Sequence, residues 1–75
     1  MSKADKMFEE LGYMTFGKHP SLTYLLRYYK NDDNVIYFEN DKTFHKSGEY
    51  SEFCDSITMQ ELKAINKKCE ELGWI

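Results

Sequence analysis

Several hallmarks of common protein classes are missing from this chain of 75 residues. No apolar run approaches the roughly 20 residues that a bilayer-spanning helix needs, so we expect no membrane segment. The two cysteines, Cys54 and Cys69, have no CxxC spacing, and no segment resembles a signal peptide for an oxidising compartment. We therefore expect two reduced thiols in a protein of the cytoplasm.

Motifs for catalysis, cofactors and metals are also absent from the sequence. The four glycines are isolated, so no GxGxxG or GxxxxGK[ST] loop is present to hold phosphates. His19 and His45 have no HExxH, HxxxH or CxxC partner, which predicts no metal site. Cys54 lies between Glu52 and Asp55, whose negative charges disfavour a reactive thiolate. The sequence thus predicts a protein that is not an enzyme and has no catalytic residue, metal or cofactor.

Positive charge is not in excess. Ten Lys and Arg stand against thirteen Asp and Glu, for a net charge of −3. Proteins that bind nucleic acids generally gain affinity by neutralising phosphates with a surplus of basic residues. The charge balance argues against a general nucleic-acid binder and leaves a local basic patch open.

The chain does contain enough apolar material for one core. Apolar residues make up 41% and charged residues 31%, which is typical of a globular domain. A chain this short buries only about 60% of its unfolded surface, which is enough for one core and too little for two. We expect a single domain over residues 1–75, with its large aromatic share supplying much of the buried area.

Two segments have the spacing and the caps of amphipathic helices. Ser2 is suited to cap a helix from Lys3 to about Leu11. Thr58 and Glu61 form a capping box for a helix from Met59 to about Leu72. Spacings of three and four place apolar residues on one face of each helix, and these are expected to be core: Ala4, Met7, Phe8 and Leu11, then Leu62, Ile65, Cys69 and Leu72.

The two helices end in nearly the same residues, FEELGY at Phe8–Tyr13 and CEELGW at Cys69–Trp74. Glycine takes the left-handed conformation easily, which ends a helix and lets the following aromatic residue pack on the last turn. The similarity does not continue past these ends, so we interpret it as shared capping and not as an internal repeat. The glutamates Glu9, Glu10, Glu70 and Glu71 lie where the helix dipole disfavours negative charge, which is either tolerated or reflects a use for the acids.

Between the helices, the pattern changes to the alternation of strands. Three strands are predicted at Ser21–Lys30, Val35–Glu39 and Thr43–Lys46, with turns at 31–34 and 40–42. Residues 13–16 are either a fourth strand at an edge or the extended exit from the first helix. Residues 47–56 lack a period and are predicted to form a loop, with Tyr50, Phe53 or Ile57 in the core. The order α-β-β-β-α with short connections predicts an α+β fold in which two helices cover one face of a small antiparallel sheet.

The uncovered face of such a sheet, which we call the outer face, carries the candidate binding residues. Alternation places there the more polar side chains: Thr23, Arg27, Tyr29, Tyr37 and Glu39, joined by His45. Tyr and Arg are common anchors of protein interfaces, so we interpret Arg27, Tyr29, Tyr37, Glu39 and His45 as a surface that binds an unidentified protein.

Three other interpretations of the outer face stay open. Cross-strand aromatic pairs can simply stabilise a thin sheet. Exposed rings beside an Arg can stack single-stranded nucleic acid, although the acids of the turn at 31–34 and Glu39 count against it. A structural homodimer can pair edge strands or the tyrosines about a twofold axis.

The stretches KADKMFEELGY, IYF and ITMQELKAINKKCEELGW resemble a group of small uncharacterised proteins found in phages and prophages of Gram-positive bacteria. The resemblance covers the two helices best and the sheet loosely, and its motifs are caps and core positions. It implies a bacterial cytoplasmic accessory protein and transfers no catalytic or binding residue. Partner identity, strand order and the choice between monomer and homodimer are left open by the sequence.

Overall fold

A computed structural model describes residues 2–16, 24–47 and 56–75. The described elements are α1 (Lys3–Glu10), β1 (Met14–Phe16), β2 (Tyr24–Asn31), β3 (Asn34–Glu39), β4 (Phe44–Ser47) and α2 (Met59–Glu71). The strands form one antiparallel sheet in the order β1-β2-β3-β4. The predicted α+β class and antiparallel connections are confirmed, and residues 14–16 add a fourth strand at the edge to the three of the predicted order.

Some of the sequence-based predictions fall outside the described residues. The predicted strand from Ser21 is described only from Tyr24 onward, so Thr23 is not among the described positions. The same holds for Tyr50 and Phe53 of the predicted loop, while Ile57 is partly buried and packs against the core. His19 and Cys54 also lie outside the described ranges.

Each helix begins at its predicted cap. The Ser2 hydroxyl accepts a hydrogen bond from the Asp5 amide at 3.0 Å. The Thr58 hydroxyl accepts from the Glu61 amide at 3.1 Å, and Glu61 Oε1 accepts from the Thr58 amide at 2.9 Å. These reciprocal bonds form the predicted capping box and satisfy amides that have no partner inside the helix.

Both helices also end in the same hydrogen-bonding pattern. The amide after the glycine donates to the carbonyl five residues earlier, at 3.0 Å for Tyr13 and 2.9 Å for Trp74. The glycine amide donates to the carbonyl three residues earlier, and φ is +93° at Gly12 and +76° at Gly73. This is the Schellman arrangement, so FEELGY and CEELGW are two C-caps as predicted.

The core lies between the two helices and one face of the sheet. It contains Phe8 and Tyr13, the strand residues Tyr28, Ile36 and Phe38, and Ala64, Ile65 and Cys69 of α2. The ring of Phe8 stacks on Tyr28 with centroids 3.8 Å apart, and it meets Tyr13 edge to face at 5.8 Å. The predicted covering of one sheet face by both helices is therefore observed.

Helix α2 is rotated from the orientation that its apolar spacing predicts. Ile65 is buried as expected, but Leu62 is 43% exposed while Glu61 and Ala64 are buried. The cause is that Glu61 turns inward to bind Lys46 of β4. Because successive helical residues are about 100° apart, an inward Glu61 directs Leu62 toward solvent.

The helices pack antiparallel, so the start of α1 lies beside the end of α2. The amide of Ala4 donates to Glu71 Oε2 at 3.0 Å, and Lys68 Nζ lies 3.4 Å from Asp5 Oδ1. Partial burial raises the pKa of Glu71, but bonds from Ala4 and Ser2 and the charge of Lys68 outweigh it, and the net pKa is lowered. The Glu71 carboxylate thus binds the positive N-terminal end of α1, so one of the four glutamates at the helix C-termini has a structural role.

Candidate functional site

The structure brings the five predicted site residues onto the outer face. Arg27 is opposite Tyr37 in the β2–β3 pair, and Tyr37 is opposite His45 in the β3–β4 pair. Opposite residues of antiparallel strands point to the same side of a sheet. Tyr29 and Glu39 are two positions along their strands from Arg27 and Tyr37, so they share that side. All five therefore lie on the side away from the helices.

Three side chains of the outer face are in contact near the β3–β4 turn. The rings of Tyr37 and His45 stack with centroids 4.8 Å apart and an angle of 17° between their planes. His45 Nδ1 lies 3.2 Å from Glu39 Oε1. The turn is tight, with Lys42 at a φ of +67° and the Thr43 hydroxyl donating to Asp41 Oδ1. This turn sets the β3–β4 register, which places Tyr37 opposite His45.

The other end of the outer face is held against the β2–β3 turn. Tyr29 donates its hydroxyl hydrogen to Asp32 Oδ1 at 2.5 Å. Within the turn, the Asp33 amide donates to Asn31 Oδ1 at 2.9 Å, an Asx arrangement that suits the predicted turn. Tyr29 is therefore tied to a carboxylate on its own hairpin.

Exposure along the outer face is uneven. The side chain of His45 is 44% exposed and that of Glu39 is 24% exposed. Arg27, Tyr29 and Tyr37 are half-buried, and Val35, which shares this face with Tyr29, is fully buried. Of the five predicted site residues, His45 is therefore the one that is exposed, and the other four are half-buried.

A buried ionic cluster on the helix side of the sheet was missed by the sequence analysis. Lys46 Nζ lies 3.1 Å from Glu61 Oε1 and donates to the Ser56 carbonyl at 2.8 Å. The Tyr13 hydroxyl donates to Glu61 Oε2 at 2.5 Å. Burial raises the pKa of Glu61, but hydrogen bonds from Tyr13, Thr58 and Lys46 outweigh it, so the net pKa is lowered. With its oxygens bound by these donors, Glu61 is suited to holding the fold and not to proton transfer.

A second missed cluster joins α1 to β2 and α2. The Tyr28 hydroxyl donates to Asp5 Oδ1 at 2.5 Å, and Lys68 approaches the same oxygen. Burial and the neighbouring Asp5 carboxylate raise the pKa of Tyr28, so its hydroxyl stays a donor. Burial acts to raise the pKa of Asp5, but the bonds from Tyr28 and Ser2 and the charge of Lys68 lower it overall. The polar groups of this cluster therefore bind one another, as those of the Lys46–Glu61 cluster do.

Two further kinds of site concern the metal-ligating side chains and the cysteine of the described residues. Across residues 2–16, 24–47 and 56–75, no three His, Cys, Asp or Glu side chains are grouped so that they could hold a metal ion. Cys69 is buried, and burial raises the pKa of its thiol, which disfavours a reactive thiolate. In the same parts of the chain, no helix has the length and apolar character to cross a membrane.

Comparisons with protein-family models, with curated proteins and with solved structures found no match to this chain. The phage-type resemblance therefore receives neither support nor opposition from relatives.

Proposed function

We propose that this protein is a non-enzymatic module that binds another protein through the outer face. The observation that carries the proposal is the row Arg27, Tyr37 and His45, one residue from each of three neighbouring strands, on the side away from both helices. Arg and Tyr are enriched in protein interfaces because they combine a large contact area with polar tips. A rigid sheet presents them in a fixed arrangement.

The contacts within the row favour binding further. Stacking against Tyr37 and contact with Glu39 already restrict the ring of His45. A side chain that is ordered before binding loses less conformational entropy when a partner arrives. Glu39 supplies an acceptor and Arg27 a donor within the same surface, which suits a partner of mixed polar and aromatic character.

The setting of this activity is part of the same proposal. The resemblance to small phage and prophage proteins supports an accessory role in a bacterium, and the absence of disulfide motifs supports a reducing cytoplasm. The partner is then a cytoplasmic protein, and the activity needs neither a cofactor nor a membrane.

Single-stranded nucleic acid is the second candidate ligand of the outer face. The stacked rings of Tyr37 and His45 beside Arg27 are the kind of platform on which bases stack. Glu39 on this face and Asp32 at the adjoining turn would repel phosphates, which is why a protein ligand is preferred. Binding that weakens steeply with added salt would reverse that preference.

The test is a set of amide NMR spectra of isotope-labelled protein, recorded over a dilution series and then with bacterial lysate. We expect dilution to leave the outer face unchanged, and lysate to broaden the signals of Arg27, Tyr37 and His45 selectively. The variants Arg27→Thr and Tyr37→Val keep residues suited to strands and should lose the response. Glu70→Gln, at an exposed site on α2, is the matched control and should keep it.

The outcomes separate the alternatives. Broadening that disappears after nuclease treatment of the lysate would support the nucleic-acid candidate. Broadening of the outer face that disappears on dilution would indicate self-association there. An unchanged response in a folded Tyr37→Val variant, or no response at all, would contradict a binding role for the outer face.

A further inference from the structure

A crevice opens between the last turn of α1 and the first turns of α2, on the helix side of the molecule. It is lined by Met7, Glu10 and Leu11 of α1 and by Gln60 and Lys63 of α2. Its volume of about 120 Å³ is below the roughly 300–1,000 Å³ of small-molecule pockets. Its form therefore suits contact with another surface better than enclosure of a ligand.

Apolar groups supply most of the crevice and its rim. Met7 and Leu11 are partly buried and pack against the core from this side. Met59, one helical turn before Lys63 on α2, is 63% exposed. Water is removed from these groups only if another surface covers them.

The two walls of the crevice carry opposite charges. Glu10 stands on the α1 wall and Lys63 on the α2 wall, and both are exposed. Neither takes part in the ion pairs formed within the described parts of the chain. Glu10 is also the last residue of α1, where the helix dipole disfavours a negative charge. A positive group from outside would offset that penalty.

We propose that the crevice binds a second copy of this chain about a twofold axis that runs along the crevice. A twofold contact places a surface against itself, so the α1 wall of one copy faces the α2 wall of the other. Glu10 of each copy then meets Lys63 of the other, which forms two ion pairs around an apolar centre. A partner whose charges all have the same sign would instead be repelled by the wall that carries that sign.

This dimer is independent of the proposed protein binding through the outer face, because the two surfaces lie on opposite sides of the molecule. Self-association through the helices leaves both outer faces turned outward. A dimer would therefore present two binding surfaces, and a partner with repeated sites would gain avidity from it.

The test is sedimentation velocity over a concentration series reaching the millimolar range. We expect reversible dimerisation of the wild-type protein. Glu10→Lys and Lys63→Glu should each weaken it at least about tenfold, because either change opposes like charges twice per dimer. An equal mixture of the two variants should recover association, because each copy then complements the other at both contacts. An ion pair within one chain cannot produce that recovery.

The matched control mixes Glu70→Lys with Lys42→Glu, which change the same charges at exposed positions outside the crevice. Each control variant should dimerise like the wild-type protein. The proposal is wrong if the wild-type protein stays monomeric throughout the series. It is equally wrong if folded Glu10→Lys and Lys63→Glu associate as the wild-type protein does, or if their mixture associates no better than either alone.

Discussion

At the scale of single residues, the buried pair of Lys46 and Glu61 affects the stability of the fold more than any exposed charge does. Each residue is 5% exposed, so both charges are almost entirely removed from water. Such removal costs several kcal/mol per ion unless hydrogen bonds replace the lost water. Tyr13, Thr58 and the Ser56 carbonyl supply these bonds. The inward position of Glu61 that results also sets the rotation of α2.

Removing only one charge of this pair should be strongly destabilising. Lys46→Met leaves the Glu61 carboxylate buried without its cation, and we expect a loss of about 3–5 kcal/mol in the free energy of unfolding. The double variant Lys46→Met with Glu61→Gln should recover much of that loss, because Gln still completes a capping box with Thr58. Urea denaturation followed by circular dichroism measures all three proteins.

Lys42→Met is the control, since Lys42 is an exposed lysine of the neighbouring turn, and it should change stability by less than about 0.5 kcal/mol. Equal stability of Lys46→Met and the wild-type protein would contradict the buried-pair account. So would a double variant that is no more stable than the single one.

The sequence contained part of the signal for this pair. An outward His45 implies, by alternation, an inward Lys46, and an inward lysine needs a carboxylate to receive it. The sequence could not show which carboxylate, because Glu61 is separated from Lys46 by residues whose path alternation does not determine. Without that partner, spacing alone favoured Leu62 as a core residue.

At the scale of elements, the sequence was most informative where the deciding contacts are local. Cap and turn hydrogen bonds span only two to five residues, so their participants can be read from neighbouring positions. Both helix starts and both glycine ends were predicted correctly for this reason. Strand limits were less certain, and β4 begins at Phe44 where Thr43 had been expected. The bond of Ala4 to Glu71 spans 67 positions and follows only from the packed structure.

The C-cap of α2 allows a clean test of the conformational role of glycine. A Cβ atom at Gly73 would meet no other atom within 4 Å, so a substitution there tests the backbone and not a clash. Gly73→Val should cost about 1 kcal/mol or more, because a β-branched residue resists positive φ. Gly73→Asn should cost clearly less, because Asn tolerates this region. Melting temperatures of the two variants that do not differ would contradict the C-cap account.

At the scale of the whole molecule, carboxylates link α1 to α2 and link both helices to the sheet. Asp5, Glu61 and Glu71 each have a pKa lowered in the folded protein, because hydrogen bonds and lysines outweigh the effect of burial. Alternation alone placed the five site residues on one face of the sheet. It could not tell that Val35 on that same face is fully buried, because alternation assigns a side of the sheet and not a degree of exposure.

The lowered pKa values predict that acid destabilises the fold. A carboxyl with a lower pKa in the folded state stabilises fully above its unfolded value, and that contribution is lost as pH falls through its folded value. We expect the free energy of unfolding to decline once the pH falls below the ordinary pKa values, 4.5 for Glu and 3.8 for Asp. The decline is up to about 1.4 kcal/mol per pH unit for each proton taken up on unfolding. Thermal unfolding across a pH series measures it.

Two neighbouring glutamates provide the variant and its control for that pH series. Glu71→Gln should be less stable than the wild-type protein at neutral pH, and the difference should shrink as pH falls below 4.5. Glu70→Gln, at an exposed position, should follow the wild-type profile. A difference between Glu71→Gln and the wild-type protein that stays constant with pH would show that the Glu71 charge does not stabilise the fold.

The bond between the Ala4 amide and Glu71 also determines how this domain can be connected to other chains. Because it holds the first turn of α1 against the last turn of α2, these two turns lie side by side. Folds with adjacent ends tolerate circular permutation and insertion into the loops of other proteins. A short linker could therefore connect the first turn of α1 to the last turn of α2.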